Sequence, residues 1–151
     1  MILEPLTPAA VLHVAVNMQE WDYKEIYATR WNNNPADLVA DCMFAGRFGW
    51  VARLEQPIVV FGALPTHPGN WGVFLFATDE LCRVSIQLTK FVKRTMIPAL
   101  QAAGARRLEC RSMKGHRSAQ RWLEYVGAKR EARLPKLGRN GETFYQYALT
   151  L

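Results

Sequence analysis

The hydrophobic pattern of this chain changes period several times, and each change predicts an element. Ile2 to Leu6 read as a short strand. Thr7 followed by Pro8 marks a helix start, with a hydroxyl to cap the first turn and a proline suited to the first helical position. The run AAVLHVAVNM carries that helix, and Trp21 to Trp31 predict a second one. NNNP (Asn32 to Pro35) breaks it, and ADLVADCMFAG predicts a third that ends near Gly46. The pattern then turns to strands. FGWVARLE, PIVVFGALP and WGVFLFAT are short, rich in β-branched and aromatic residues and bounded by turn residues, with HPGN (His67 to Asn70) between the last two. They predict a three-stranded antiparallel meander.

From Thr78 the helical period returns. Leu81, Val84, Leu88, Phe91, Val92 and Met96 fall on one face, Pro98 kinks or shortens the helix, and Gly104 ends it. RRLECRS (Arg106 to Ser112) predicts a strand, GHRSAQRWLEYVG a short amphipathic helix ending at Gly127, and AKREARLPKL and GETFYQYALTL two final strands joined across GRNG. The order is strand, helices, three strands, helix, strand, helix, two strands. A strand–helix–strand unit inside a mostly antiparallel sheet predicts one mixed α/β domain over residues 1–151, with helices on both faces.

Composition narrows the function. Half of the 151 residues are hydrophobic, which argues against disorder. No apolar run reaches eighteen residues, and MILEPLTPAA lacks the basic start and apolar core of a signal peptide, so a cytoplasmic protein without a membrane partner is expected. Cys42, Cys82 and Cys110 are widely spaced and read as reduced thiols. No Cys/His pairing at zinc spacing occurs, and His13, His67 and His116 are far apart, so no metal is expected. The net charge of +6 is unevenly spread: four basic and nine acidic residues up to Leu81, fifteen basic and four acidic from Cys82 onward. A polarised chain of this kind attracts anionic partners or is simply well solvated.

From Ile58 to Leu151 the chain resembles the GNAT superfamily of acetyl-CoA-dependent N-acetyltransferases. The resemblance lies in WGVFLFATDE, the long helix, GARRLECRS, HRSAQRWLEYVGA and GRNGETFYQYAL, with Ala119 to Gly127 similar to the superfamily's second conserved helix. In detail the chain looks closest to GNAT-like proteins of tailed phages, one branch of which is the small internal virion protein of podoviruses. The resemblance implies a GNAT-like fold, acetyl-CoA as cofactor, and pantetheine lying where the fourth and fifth strands splay. It also implies pyrophosphate on the backbone amides where the following helix begins, where a helix N-terminus favours anions.

The family loop is R/Q-x-x-G-x-G/A, and its register here is Arg83-Val84-Ser85-Ile86-Gln87-Leu88, with Ile86 and Leu88 in the glycine positions. These six residues are the candidate cofactor site, joined by His116 at the start of the last helix, which could cap that helix or contact the cofactor. Thr78 is expected to cap a helix beginning at Asp79, which would satisfy amides the pyrophosphate needs. In the family pattern a tyrosine protonates the departing thiolate. Leu123 holds that position here, and Tyr125, about 200° further round the helix, faces elsewhere. No catalytic residue is identified.

Two surfaces complete the candidates. Tyr23, Tyr27 and Trp31 stand at i, i+4, i+8 and read as core or as anchors for a partner. Lys90, Lys93, Arg94, Arg106, Arg107, Arg111, Lys114, Arg117 and Arg121 could meet nucleic acid, although no recognised nucleic-acid motif is present. The leading expectation is a phage GNAT-like protein that keeps the fold without acetyl transfer and acts by binding a host or virion protein. It would act in the infected cell's cytoplasm or within the virion, with a homodimer as a further expectation. The alternative is a working N-acetyltransferase with an atypical loop, and the third is a nucleic-acid-binding accessory protein.

Overall fold

Seven strands form one sheet: β1 (Ile2–Pro5), β2 (Gly49–Arg53), β3 (Pro57–His67), β4 (Asn70–Ala77), β5 (Arg107–Met113), β6 (Lys129–Leu134) and β7 (Phe144–Thr150). The computed structural model describes every residue, Met1–Leu151. The spatial order is β1-β2-β3-β4-β5-β7-β6, and every neighbouring pair is antiparallel except β4 and β5. The helices are α1 (Pro8–Val16), α2 (Glu20–Ala28), α3 (Pro35–Met43), α4 (Ser85–Phe91), α5 (Ile97–Ala102) and α6 (Arg117–Val126).

The composition of β3 explains its central place. Residues 57 to 63 are all buried, so both faces of the strand need apolar cover. Alternation then divides the core. Val59, Phe61 and Ala63 pack with Leu88, Val92, Met96 and Leu100 of the α4–α5 region on one face. Val60, with Val51 and Phe76, packs with Val11 and Val14 of α1 and Leu38 and Cys42 of α3 on the other. The helix ends follow their sequence signals. Thr7 Oγ1 accepts from the Ala10 amide at 3.2 Å, Asn34 Oδ1 accepts from Ala36 at 3.0 Å, and Gly127 ends α6 at φ 111°.

The crossover between β4 and β5 departs from one straight helix. A 3₁₀ turn (Leu81–Arg83) precedes α4, and a π turn (Val92–Met96) separates α4 from α5. Pro98 accounts for the second break, because it has no N–H to give Arg94 four residues back and its ring crowds that carbonyl.

The parallel junction is short. Asn70, Trp71 and Gly72 pair with Arg107, Leu108 and Glu109, and the ladder then stops. Further along β4 another segment takes over as neighbour. The Gln19 amide donates to Ala77 O at 2.9 Å, and Met18 bridges Thr78. The segment joining α1 to α2 therefore occupies the place where β5 would lie, and the two strands diverge.

Three expectations are corrected. No helix begins at Asp79: Thr78 sits in the bridge to Met18, its hydroxyl accepts only from the Glu80 amide at 3.3 Å, and α4 starts at Ser85. The second helix ends at Ala28 rather than Trp31, so the i, i+4, i+8 stripe is never completed. Tyr27 is buried, Tyr23 is partly exposed, and Trp31 is 100% exposed. The final turn is longer than GRNG, spanning 135–143 between β6 and β7. No helix is long and apolar enough to cross a membrane.

Candidate functional site

The diverging strands enclose a cavity of about 630 Å³. Val73, Phe74 and Leu75 of β4 face Cys110 and Arg111 of β5 across it; Ser85, Leu88 and Val92 line it on one side, Trp122 and Leu123 of α6 on another, and Glu25 and Ile26 of α2 at the end. Apolar residues predominate in this lining. The β4 edge is also open to hydrogen bonding. Ala77 turns its N–H and C=O away from β3, toward Asp22 and Gln19, and the two-residue period gives Leu75 the same orientation. The Leu75 backbone thus faces the opening with no strand partner.

Three titratable side chains bridge the wide end of the opening. Asp22 Oδ2 accepts from the Ala77 amide of β4 at 2.9 Å and from Gln19 Nε2 at 2.8 Å. Glu25 Oε2 accepts from the Met113 amide of β5 at 2.8 Å, from Ser112 Oγ at 3.0 Å and from His116 Nδ1 at 2.8 Å. His116 Nε2 lies 3.5 Å from Asp22 Oδ1, so the imidazole joins the two carboxylates. The diverging strand ends lose their mutual ladder, and α2 supplies oxygens to the amides left over. Gln120 completes this end by donating to Met113 O at 2.9 Å.

Burial governs the charges here. It pushes the Asp22 carboxyl above the usual range, against its hydrogen bonds from Gln19 and Ala77 and the attraction of His116. Burial pulls His116 down, but the hydrogen bond and charge of Glu25, with the charge of Asp22, outweigh it and hold the imidazole above its ordinary value. The ring is 3% exposed and stacks on Trp21 at 5.6 Å between centroids. His116 makes no capping hydrogen bond to α6, which corrects that expectation: its nitrogens are committed to the carboxylates. Glu25 Oε2 takes all three hydrogen bonds, leaving Oε1 free on a residue that lines the cavity.

The other candidates lie at the start of α4 and separate by direction. Val84 is buried, and Leu88, 2% exposed, points into the core. Ile86, 72% exposed, and Gln87 point outward, while Ser85 lines the cavity and donates to Cys82 O at 3.2 Å. Arg83 is held by Glu80 at 3.0 Å and Glu55 at 3.5 Å. The first helical bond of α4 runs from the Leu88 amide to Val84 O at 2.9 Å, and no side chain caps the helix. The amides of Ser85, Ile86 and Gln87 precede that bond and lack a helical acceptor.

Along α6, Leu123 lines the cavity while Tyr125 is 68% exposed with Lys93 Nζ 4.8 Å from its ring centroid. Trp122 Nε1 donates to Thr89 Oγ1 at 2.9 Å, tying α6 to α4 beside the cavity. Burial pushes the Cys110 thiol up to about 12, which suppresses its thiolate. His, Cys, Asp and Glu side chains form no group able to hold a metal ion. Sequence reading missed Asp22 and Glu25. Their signal was two acids three positions apart in a helix that also carries Trp21, Tyr23 and Tyr27, and it acquires meaning only when His116 is brought beside them.

No family model matches the chain, and no curated protein matches it. Solved structures do resemble it. Ard1 from Thermoplasma volcanium has a TM-score of 0.75 at 12% identity, covering 99% of this chain and 97% of that one. The ribosomal-protein-alanine N-acetyltransferase from Brucella melitensis has a TM-score of 0.76 at 13% identity, covering all of both chains. The yncA protein from Salmonella typhimurium, determined with its cofactor acetyl-CoA, has a TM-score of 0.72 at 12% identity over 100% of this chain and 94% of its own. The fold is that of the GNAT acetyltransferases.

Proposed function

We propose that the β4–β5 cleft is an acyl-coenzyme A site and that the chain is an acetyl-CoA-dependent N-acetyltransferase with an atypical loop. The observation that carries this is the cleft itself. The ladder stops at Gly72 and Glu109, an apolar cavity of about 630 Å³ fills the opening, and a carboxylate with a free oxygen stands at its end. The chain's residues fit the cofactor: the unpaired Leu75 edge suits an extended amide-bearing arm, and the uncapped start of α4 suits a phosphate. Leu88 points inward and Ile86 outward, so neither branched side chain replaces the amides with its own contacts. When bound, acetyl-CoA would supply the thioester from which an amine takes its acetyl group.

Glu25 Oε1 accepts the proton the amine must lose. His116 Nδ1 donates to Oε2 and steadies the carboxylate, and Asp22 in turn holds the imidazole. No side chain at position 123 protonates the departing thiolate, so turnover is slow. Calorimetric titration with acetyl-CoA and with free coenzyme A tests the reading. Micromolar binding is expected, followed by thioester consumption when amines are added. Absence of heat and of a thermal shift at millimolar cofactor overturns it.

A second reading has its own support. Arg83 is engaged by Glu80 and Glu55, and Leu123 replaces the expected acid. Both favour a protein that keeps the fold without transfer and acts by binding a host or virion protein in an infected bacterium. The phage context rests on the sequence resemblance. Trp31, wholly exposed three residues beyond α2, would be an anchor. A tagged protein that binds no cofactor but retains one defined partner, lost on Trp31→Ala, would establish this reading.

A further inference from the structure

The outer side of α6 and the neighbouring edge of the sheet carry cations that the cleft does not use. Lys93, Arg117, Arg121 and Arg133 have no carboxylate within ion-pair distance, and none lines the cavity. They form a track. Lys93 stands over Tyr125 at 4.8 Å. Arg121 and Arg117 precede Tyr125 at helical spacing on the same exposed face of α6. Gln120 of α6 accepts from Arg130 of β6 at 3.5 Å, and the Arg130 guanidinium lies 3.7 Å from the ring centroid of Tyr145. Arg133 is the register partner of Tyr145 across β6 and β7. The one nearby α6 carboxylate, Glu124, is 3.5 Å from the Tyr147 hydroxyl.

Cations on an edge strand have a simpler use, because they discourage pairing with another sheet. That accounts for β6. It does not account for Tyr125, a tyrosine left largely in water with one ring face under a lysine. Alternation of cations with aromatic rings suits a ligand whose charges alternate with flat, stacking groups. Phosphates meet the guanidinium and ammonium groups, and every base offers a π face to the rings. An acidic polypeptide needs the charges but not the rings. From this alternation we infer that the track running from Lys93 across α6 to Arg133 binds single-stranded nucleic acid. Bases stack on Tyr125 and on the Arg130 guanidinium that covers Tyr145, and phosphates sit on Lys93, Arg121 and Arg133.

Fluorescence anisotropy of a labelled 20-nucleotide oligo(dT) or oligo(U) with the full chain tests this. Three to four phosphate contacts predict an affinity about 20- to 50-fold lower at 200 mM than at 50 mM salt. Arg121→Glu with Arg133→Glu should weaken binding about 10-fold or more. Tyr125→Ala should weaken it about 10-fold with the salt dependence unchanged, because stacking is lost and no charge is. These residues are exposed, so unchanged melting temperatures serve as the folding control. No binding at 50 mM salt overturns the proposal. So does equal affinity for duplex and single strand with Tyr125→Ala silent, which marks a general anion surface of the kind an acidic protein would use. Retention on phosphatidylglycerol vesicles without retention of the oligonucleotide overturns it as well.

Discussion

The two ends of the β4–β5 cleft are built on different plans. The helix end is local: the backbone from Thr78 to Leu88 makes it, and each side chain points its own way, Leu88 inward and Ile86 outward. The proton end is assembled from afar. Glu25 and His116 meet at 2.8 Å across 91 positions of sequence, and with Asp22 they hold the ends of two strands that no longer hold each other. A change at an exposed position of the helix end, such as Ile86, alters little beyond itself. A change at the proton end releases several at once, because one carboxylate oxygen serves up to three donors.

Substitutions at the proton end should therefore have the largest effects on turnover. If the cluster moves a proton, Glu25→Gln lowers kcat/KM for amine acetylation by about 10²- to 10⁴-fold. Acetyl-CoA affinity should hold, since Gln keeps an acceptor for Met113 and Ser112. An unchanged rate would reduce the cluster to a strut between strands. Asp22→Ala tests the strut directly. It strips the Ala77 amide and Gln19 of their acceptor and His116 of one charge partner, for an expected loss of about 3 kcal/mol in chemical denaturation.

The helix end should answer position by position. Leu88→Gly empties a core site and should cost about 4 kcal/mol, so the glycine of the family loop is not tolerated there. Ile86→Gly changes an exposed side chain beside free amides and should tighten acetyl-CoA about threefold, or some 0.7 kcal/mol, by calorimetry. Between these in size lies Leu123→Tyr, which places a proton donor in the cavity wall. An increase in kcat of about 10-fold is expected, and no change would mean that thiolate protonation does not limit turnover.

The same contrast explains what could be read from sequence. The strands, the mixed sheet and the amphipathic α6 were legible because hydrophobic period and turn residues are local signals. The outward turn of Tyr125 was legible for the same reason. The directions of Arg83 and of the Thr78 hydroxyl were not. Arg83 is engaged by Glu55, 28 positions away, and Thr78 is claimed by Met18 from the segment between α1 and α2. Trp31 misled for a related reason: its spacing from Tyr27 fits a helix that stops before reaching it. The spacing of Asp22 and Glu25 was visible but had no meaning, because only the splay of β4 from β5 creates the need they meet.

The smallest expected effect is on pH dependence, and it distinguishes a charged strut from a neutral one. His116 has a folded-state value held above its ordinary 6.5, because two carboxylates outweigh the cost of burial. A raised value means that the folded state binds the proton more tightly than the unfolded chain does. The stabilisation is therefore complete below about pH 6.5 and is lost as pH rises through the folded value. Asp22 is also raised, from 3.8, so its contribution has the same sign and begins to fall at lower pH than that of His116. Melting temperatures from pH 6.5 to 9 should fall modestly for the native chain. With His116→Asn, which can still donate to Glu25 but carries no titrating charge, the profile should be flatter and start lower. Parallel profiles would mean that His116 is neutral at the wide end of the cleft. Two carboxylates would then face one uncharged ring, and the chemistry assigned to Glu25 would lose the positive charge that steadies it.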